Sequence, residues 1–379
     1  MLYLISLLSF LLPTQLGFHF ENINSTVYGF RIDYLIPTLY LTDIVALLVI
    51  FFGIKNFKFD KVHYKSYLKY LLFCIVYLVF VIVNISNSLL IIPSIYKWLK
   101  VTELILLGLV IVNTKELDIF KHFVKPLSYS VFIICLLGIA QYINSGSIGG
   151  IFYALGERAY LVGDPNIAPY PYATFSHPNS FAGFLLVFGI FLLQYRKKFV
   201  AKYFWTLLVL VGTNLFLTNS LNVYVTISFL LLLKFSENLL HISKTGLSFG
   251  LFIFDTSERF VTHRLELIKA SLAMVKNNFW FGVGLNNFIP NLVKVSNTFV
   301  NAWELQPVHN IFLLILTEIG FIGFVMFSIF IFSVTAFNNY TLIAILTTGL
   351  SDHYWLTLQQ NMLLFTYVLV ISKKWKNKT

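Results

Sequence analysis

The stretch PVHNIFLLILTEIGFIGFVMF, residues 307–327, decides the fold class. Its apolar run is long enough for a membrane helix, because a span needs roughly 20 mostly apolar residues. It opens with His309 and Asn310 and carries one carboxylate, Glu318, among leucines and phenylalanines. An acid is costly inside a bilayer unless it is paired, so we expect its partner to come from another helix.

Comparable apolar runs recur along all 379 residues. The chain is 58% hydrophobic and 11% charged, with a mean hydropathy of +0.79, far outside the range of soluble globular proteins. These values predict an all-α, polytopic transmembrane helical bundle, with residues 1–379 forming a single integral membrane domain.

The net charge of +11 is a topology signal rather than a sign of nucleic-acid binding. Most lysines and arginines cluster in five segments, which the positive-inside rule places in the cytoplasm: 55–69, 115–125, 196–202, 234–244 and 373–378. With these segments inside, we expect about twelve helices, near residues 1–18, 34–54, 70–87, 95–113, 127–143, 177–195, 203–218, 221–234, 238–254, 309–333, 338–353 and 358–372. The even count predicts that both termini are cytoplasmic.

Two long loops, 144–176 and 255–308, are then extracytoplasmic, and loops of this length are usually functional. The second contains SERFVTHRLELIKASLAMVKNN, which predicts an amphipathic helix at the outer membrane surface. Its apolar stripe is Val261, Leu265, Ile268, Leu272 and Val275. Arg264 falls beside the stripe, at the membrane boundary, while Arg259 falls on the opposite, wet face.

Two short motifs place histidines at outer helix starts. In SHPNSFAGFLLV, His177 and Asn179 flank a proline that suits a first helical turn, so a structural cap and a binding role are both open. In the opening stretch, His309 and Asn310 follow the second long loop, and a lone interfacial histidine is often structural.

A third motif, LSDHYWLTLQQ, contains Asp352 and His353 near another outer helix end. Adjacent residues on a helix do not face each other, so a catalytic dyad within this pair is disfavoured. Glu318 lies half a helical turn away from His309 and deeper, and it cannot orient that ring. An interhelical hydrogen bond is its simpler role, and it is the one clear deep carboxylate in the sequence.

Other signals are negative. The segment FGVGLNNF lacks the third glycine and the flanking strand of a nucleotide fingerprint. Cysteines, histidines and acids do not recur at metal-ligand spacings, so the sequence predicts no metal site and no cofactor.

What remains is a set of outward arginines and histidines: Arg158, Arg259, Arg264, His177, His263 and His309. The guanidinium fork suits phosphate oxygens, and a neutral imidazole suits deprotonation of a hydroxyl. A lipid-linked diphosphate sugar needs both, because its transfer requires a base for the acceptor and cations for the departing diphosphate.

Four blocks together resemble the O-antigen ligase and Wzy-type polymerase superfamily of bacterial polysaccharide membrane proteins: TFSHPNSFAGFLL (174–186), RLELIKASLAMVKNNFWFGVGLNNF (264–288), QPVHNIFLLILTEIGFIG (306–323) and LSDHYWLTLQQ (350–360). The resemblance implies a GT-C-like helical fold and metal-independent, inverting transfer of glycans from undecaprenyl diphosphate on the extracytoplasmic side. It also implies that His309 is the base and that Arg264 contacts the diphosphate.

The chain departs from the family where a Ser-Arg pair is common, because Leu221 follows Ser220. An arginine is also missing before the His-Pro-Asn block, where the chain reads APYPYATF. We expect Arg158 or Arg259 to substitute in diphosphate binding, with Arg158 favoured because its loop leads into His177.

The sequence therefore predicts a membrane glycosyltransferase of the bacterial cytoplasmic membrane, acting in cell-surface polysaccharide and lipopolysaccharide synthesis. We expect substrate or acceptor binding by a group of polar residues: His177, Asn179, Asn310, Asp352 and His353. The partners would be a polyprenyl-diphosphate-linked glycan, a glycan or lipid acceptor and the bilayer, with a chain-length regulator as an option and no nucleic acid. Ligase and polymerase stay open, and so do a flippase or transporter for lipid-linked oligosaccharide and a structural scaffold.

Overall fold

The computed structural model describes residues 1–55, 64–159, 170–240, 258–296, 299, 301, 304–334 and 339–376. Within residues 64–70, 236–240 and 258–261 only the backbone is described. Most of the helix predicted at 238–254 falls outside the described residues.

This part of the chain is mostly helical. Its helices are α1 Leu2–Leu11, α2 Leu41–Lys55, α3 Tyr64–Ser86, α4 Ile91–Asn113, α5 Lys125–Asn144, α6 Ile151–Ala154, α7 Pro178–Gln194, α8 Ala201–Leu217, α9 Leu221–Leu240, α10 Glu258–Asn277, α11 Phe288–Val295, α12 Ile311–Val334, α13 Tyr340–Gly349, α14 Tyr354–Thr357 and α15 Gln359–Lys376. A π-helical turn, Phe120–Val124, leads into α5. The predicted helical class is confirmed in its main part.

The segment between α1 and α2 differs from the prediction. It forms two short antiparallel pairs, β1 Gly17–His19 with β4 Thr38–Tyr40 and β2 Thr26–Val27 with β3 Phe30–Arg31. The helices predicted at 1–18 and 34–54 are therefore too long at the ends that face this segment. Pro13 and Pro37 explain both errors, since proline lacks the N–H that a helix interior needs and disfavours helical backbone before it.

The main hydrophobic core runs through α1, α2, α4, α5, α7, α8, α9, α12, α13 and α15. Apolar side chains also cover the outside: α2, α3 and α4 expose large residues such as Phe51, Leu72 and Leu99. Soluble monomers rarely expose apolar surface on this scale. Two described helical segments, Phe120–Asn144 and Ile311–Val334, are long and apolar enough to cross a membrane.

Helix α10 packs through a face that differs from its predicted apolar stripe. Its buried residues, Leu267, Ala270 and Met274, join a second core with α11, the start of α12 and the β2–β3 segment. Leu265 and Leu272 of the stripe are exposed instead. Arg264 lies three residues before Leu267, so it belongs to the side that faces the protein.

Helix α12 is interrupted at Gly320, whose φ of 69° and ψ of −174° are not helical. The loop after α10 lies in the break: the backbone N–H of Val283 donates to Thr317 O (3.0 Å), and that of Phe321 donates to Phe279 O (2.8 Å). A Cβ on Gly282 would lie 2.4 Å from Glu318 O, so the two backbones touch. The glycines of FGVGLNNF therefore serve close backbone packing.

The carboxylate of Glu318 finds its partners in this same loop. Its Oε1 accepts the backbone N–H of Phe288 (3.2 Å), the first residue of α11. Phe288 N–H is one of the free donors at a helix N-terminus, where a carboxylate is favoured. The acid thus finds its partners on other helices, as expected: the N-terminus of α11 donates to it, and Lys97 of α4 supplies an opposite charge.

A second set of buried charges contradicts the expectation that Glu318 is the one clear deep carboxylate. Lys100 of α4 forms an ion pair with Asp43 of α2 and lies 3.8 Å from Glu103. These three side chains are at most 12% exposed. The amide of Gln359, at the start of α15, also donates to Asp43 and ties a third helix to the cluster.

Candidate active site

The start of α12, the α13–α14 turn and the start of α7 meet at one end of the bundle. Asn310 Nδ2 donates to Leu350 O (2.9 Å), which holds the turn against α12. Gly349 allows this approach, since a Cβ there would lie 2.4 Å from Ile311. On the other side, a Cβ on Gly183 of α7 would collide with the Tyr354 ring. Small residues therefore bring three motifs that are distant in sequence to one place.

The central contact joins His309 and Asp352. His309 Nδ1 lies 3.7 Å from Asp352 Oδ1, longer than a hydrogen bond but close enough for an ion pair. This nitrogen is buried and has no hydrogen-bond partner among the described residues. His309 Nε2 lies 3.2 Å from Gln306 Oε1. The Asp352 side chain is 9% exposed.

Asp352 remains charged despite this burial. Desolvation alone would raise the pKa of the carboxyl, but its interactions with His309, His353 and His177 hold that pKa below its ordinary value. Asp352 Oδ1 also accepts the backbone N–H of His353 (2.8 Å). As expected, Asp352 and His353 do not form a side-chain dyad; the carboxylate faces His309 instead.

His353 packs against His309, with ring centroids 5.0 Å apart. Its Nδ1 lies 2.9 Å from Thr357 Oγ1, and that hydroxyl also donates to His353 O (3.2 Å). Because the hydroxyl proton is committed, Thr357 accepts from Nδ1–H, and Nε2 keeps its lone pair. Burial lowers the pKa of His353, and the nearby charge of His309 lowers it further, so the ring is neutral.

His177 is the N-cap of α7, and its Nδ1 accepts the backbone N–H of Asn179 (3.1 Å). The structural alternative for this motif is therefore realised. Desolvation lowers the pKa of His177; Asp352 opposes this, and the charges of His309, Arg264 and Arg158 add to it. Asn179 Nδ2 lies 3.5 Å from Asp352 Oδ2, which connects α7 to the centre of the site.

Arg264 is the cation of this site. After the effect of burial, its charge contributes to lowering the pKa of both His177 and His353. The residue is partly buried, and within the described part of the chain it makes no hydrogen bond or ion pair. A guanidinium with free donors near buried polar groups suits an anionic ligand.

The two predicted substitute arginines differ from Arg264. Arg158 pairs with Asp33 (2.8 Å), and both side chains are about half exposed. The buried neighbour of Arg158, Glu157, accepts the backbone N–H of Gly149 (2.7 Å) and holds this loop in shape. Arg259 lies in the first turn of α10, and its side chain is outside the described residues.

Several groups at the site were not predicted from the sequence. Tyr34 lies edge-on to His353, with centroids 5.6 Å apart, and Asn286 Nδ2 donates to its carbonyl (2.9 Å). Gln306 and Thr357 contact the two imidazoles. Gln306 lies in the QPVHN block, three residues before His309. Its position in that block is the one feature of the sequence that could have indicated a role at the site. Nothing in the local pattern around Tyr34 indicates this contact.

The sequence predicts no metal ligands, yet three groups with ligand chemistry converge. In the described part of the chain, His309, Asp352 and His353 place one donor atom each within 4.8 Å of one another. The remaining predicted polar residue is Asn310. Its Nδ2 donates to Leu350 O, and its Oδ1 accepts the backbone N–H of Leu313.

Residues 172–328, which include His177, Arg264 and His309, match a family model described as O-antigen ligase. Over this stretch the chain is similar to O-antigen ligases. This confirms the relationship to O-antigen ligases and polymerases that the sequence blocks predict. A comparison with curated proteins finds no match. The match supports a function of the ligase or polymerase type in broad terms, and together with the apolar helices it indicates an integral membrane protein.

The family match ends within α12, so Asp352 and His353 lie beyond it. Arg158 and Tyr34 lie before it. The site is therefore completed by residues on both sides of the matched domain.

Proposed function

We propose that this protein transfers or polymerises oligosaccharide units from an undecaprenyl-diphosphate-linked donor on the extracytoplasmic side of the membrane. One observation carries the proposal: His309 faces a buried, charged Asp352, while Arg264, whose guanidinium has no partner among the described residues, acts on the same histidine cluster. A base oriented by a carboxylate beside a free cation matches the needs of transfer from a diphosphate.

In the proposed reaction, an acceptor hydroxyl attacks the anomeric carbon of the donor sugar. The new glycosidic C–O bond forms as the C–O bond to the diphosphate breaks, and the configuration inverts. When substrate displaces the Gln306 contact, the ring proton moves to Nδ1, which faces Asp352, and the hydroxyl proton passes to the lone pair then present on His309 Nε2. Asp352 stabilises the resulting imidazolium through Nδ1–H, as carboxylates do for catalytic histidines. Their 3.7 Å separation shortens when substrate binds.

Arg264 would neutralise the charge that develops on the departing polyprenyl diphosphate. Arginine suits this task because its planar fork binds two phosphate oxygens at once. Arg158 and Arg259 would add positive charge, while His177 and Asn179 would contact the acceptor or donor glycan. The transfer as proposed requires no metal, no nucleotide and no other cofactor.

The test compares His309→Ala with His263→Ala. His263 lies on α10, and its Nε2 lies 3.1 Å from Glu304 O; it is not among the groups that converge at His309, Asp352 and His353 in the described part of the chain. Surface glycans from cells with equal protein levels are analysed by gel. We expect His309→Ala to lose long chains or all attached glycan, and His263→Ala to keep them. Normal glycans in the His309→Ala cells would remove the proposed base from the mechanism.

The pattern of loss separates the two family activities. Loss of long chains with single units still attached would indicate a polymerase. Loss of every attached glycan would indicate a ligase.

A flippase for the same donor is the second candidate, favoured by the buried charges of Asp43, Lys100 and Glu103 on two helices. Buried ionisable groups in membrane proteins often mark transport paths. Purified protein in detergent discriminates the two, because a flippase performs no chemistry there. Glycan transfer in detergent that depends on His309 would exclude a pure flippase.

A further inference from the structure

The chemistry of His309, Asp352 and His353 goes beyond that of a base and its orienting acid. Two imidazoles and one carboxylate are the ligand types that zinc and similar divalent transition metals prefer. Their donor atoms lie within 4.8 Å of one another. The rings are 5.0 Å apart, and Nδ1 of His309 lies 3.7 Å from Asp352 Oδ1. Small side-chain rotations would bring all three donors onto one ion.

Each donor has an available lone pair. His309 Nδ1 is buried and has no hydrogen-bond partner among the described residues. The bond between His353 Nδ1–H and Thr357 leaves His353 Nε2 unprotonated, as a metal-bound histidine requires. Hydrogen bonds from the far ring nitrogen orient metal-binding histidines in the same manner. Asp352 Oδ2 has one long contact, 3.5 Å to Asn179, so it can turn toward an ion.

We propose that His309, Asp352 and His353 form a binding site for a divalent transition-metal cation such as Zn²⁺, and that the bound ion inhibits glycan transfer. This inference rests on the proposed function for its inhibitory part. An ion on Nδ1 keeps the ring proton on Nε2, where it donates to Gln306 Oε1, and it also occupies the Asp352 carboxylate, so Nε2 of a metal-loaded site cannot accept the hydroxyl proton. Arg264 repels a cation, so binding should be reversible on chelation rather than permanent.

Metal binding is measured first, without any glycan. Protein purified in detergent on a tag without histidine is dialysed against micromolar Zn²⁺, and bound metal is measured by mass spectrometry. We expect one equivalent on the wild type, and an affinity loss of about 10-fold or more in Asp352→Asn and in His353→Ala. His263→Ala is the matched control and should keep the full equivalent. Wild-type protein that binds no zinc, or a His263→Ala variant that loses it equally, would overturn the site.

Cobalt gives a second readout that does not depend on variants remaining folded. Co²⁺ bound to two imidazoles and a carboxylate in a tetrahedral arrangement has strong visible absorption bands. We expect these bands with the wild type, and we expect Zn²⁺ to displace them. Co²⁺ spectra of an octahedral, water-rich ion would contradict the proposed ligand set.

The inhibitory part is tested on transfer in detergent. We expect Zn²⁺ to lower the rate at least 10-fold, EDTA to restore it, and EDTA alone to leave it unchanged. Bound zinc with an undiminished rate would overturn the inhibition while leaving the site intact. If His309→Ala retained full transfer activity, the proposed base would fail, but the zinc titration of the wild type would still stand.

Discussion

The two titratable groups at either end of the same apolar stretch, His309 and Glu318, are treated in opposite ways by the protein. Glu318 is 8% exposed, and its carboxylate accepts a backbone N–H at the start of α11. His309 keeps a buried Nδ1 without a hydrogen bond in the described part of the chain, and the charge of Arg264 acts on the neighbouring His353. We call the surroundings of Glu318 the saturated region, because its carboxylate has a hydrogen-bond partner. We call the surroundings of His309 the open region, because its Nδ1 has none among the described residues.

This difference is informative because an unsatisfied buried polar group costs about 1–3 kcal/mol. A protein that merely needed stability would pair such atoms, as it does at Glu318. Donors and acceptors without partners at the start of α12 are therefore better explained by a ligand that forms hydrogen bonds with them.

The first variant is His309→Ala, in which the open region loses its base. Removing a positioned general base lowers rates by about 10²–10⁴-fold, and we expect transfer in detergent to fall within that range. The melting temperature should change little, because the ring makes few hydrogen bonds. An equal loss in His263→Ala would show that the effect is structural and would remove the contrast.

Arg264→Ala sharpens the same contrast on the anion side. Loss of a donor that stabilises developing charge costs about 10²–10³-fold in rate, and we expect a drop of that size. Lys269→Ala is the control, since this exposed lysine of the same helix pairs with Glu266 (2.8 Å). If the two variants retained equal activity, Arg264 would not contact the diphosphate.

Gly320→Ala tests the backbone packing of the saturated region, at the break in α12. An alanine would need a glycine-only backbone conformation and would place its Cβ 2.5 Å from Gly282 N, so we expect a loss of about 3 kcal/mol in stability. Gly212→Ala is the matched control, because a Cβ there meets open space within α8. The measurement is the melting temperature in detergent. Equal stability of the two variants would show that the α12 break is not held by this packing.

Glu318→Gln tests whether the saturated acid is purely structural. The amide oxygen can still accept from Phe288, but the charge is lost, so stability should fall by about 1–2 kcal/mol. Transfer activity per folded molecule should be unchanged. A selective loss of activity at normal stability would move Glu318 into the mechanism and weaken the contrast with His309.

The smallest effect is the response of stability to pH. Because burial lowers the pKa of His353, the unfolded chain binds a proton more readily than the folded protein below pH about 6.5. The contribution of neutral His353 is therefore complete above that pH and decreases as the pH falls. We expect acidification from about pH 7.5 to 5 to lower the melting temperature less in His353→Gln than in wild type.

The exposed His19 provides the control for this pH test, since His19→Gln should retain the wild-type response. A His353→Gln variant with the full wild-type slope would show that His353 is not a buried neutral ring.

Much of the architecture was readable without coordinates, because it depends on local and additive properties. The apolar run at α12 and the start of α7 at Pro178 follow from hydropathy and capping chemistry. The amphipathic spacing of α10 predicted a helix there, but it pointed to Leu265 and Leu272, which are exposed. Periodicity identifies a helix, yet it cannot say which of two apolar faces packs on protein and which faces lipid.

The sequence also predicted most of the candidate site residues one by one, but it did not predict which of them contact each other. Adjacency in sequence predicts that Asp352 and His353 do not form a side-chain dyad, and the partner of Asp352 is His309, two residues before α12. Tyr34 had no signal at all, since its role depends on a loop that folds back from the start of the chain. The charged cluster at Asp43 and Lys100 was missed for the same reason.

By itself, the sequence determined that this chain is built for a membrane, that it resembles O-antigen ligases, and that it carries histidines and arginines near the starts of helices. Those conclusions follow from transfer energies and residue types, which are properties of short segments. Only the tertiary structure decided which polar groups are satisfied and which are left open. That distinction depends on distances between segments far apart in the chain, and an imidazole and a carboxylate acquire their chemistry from what lies within a few ångströms of them.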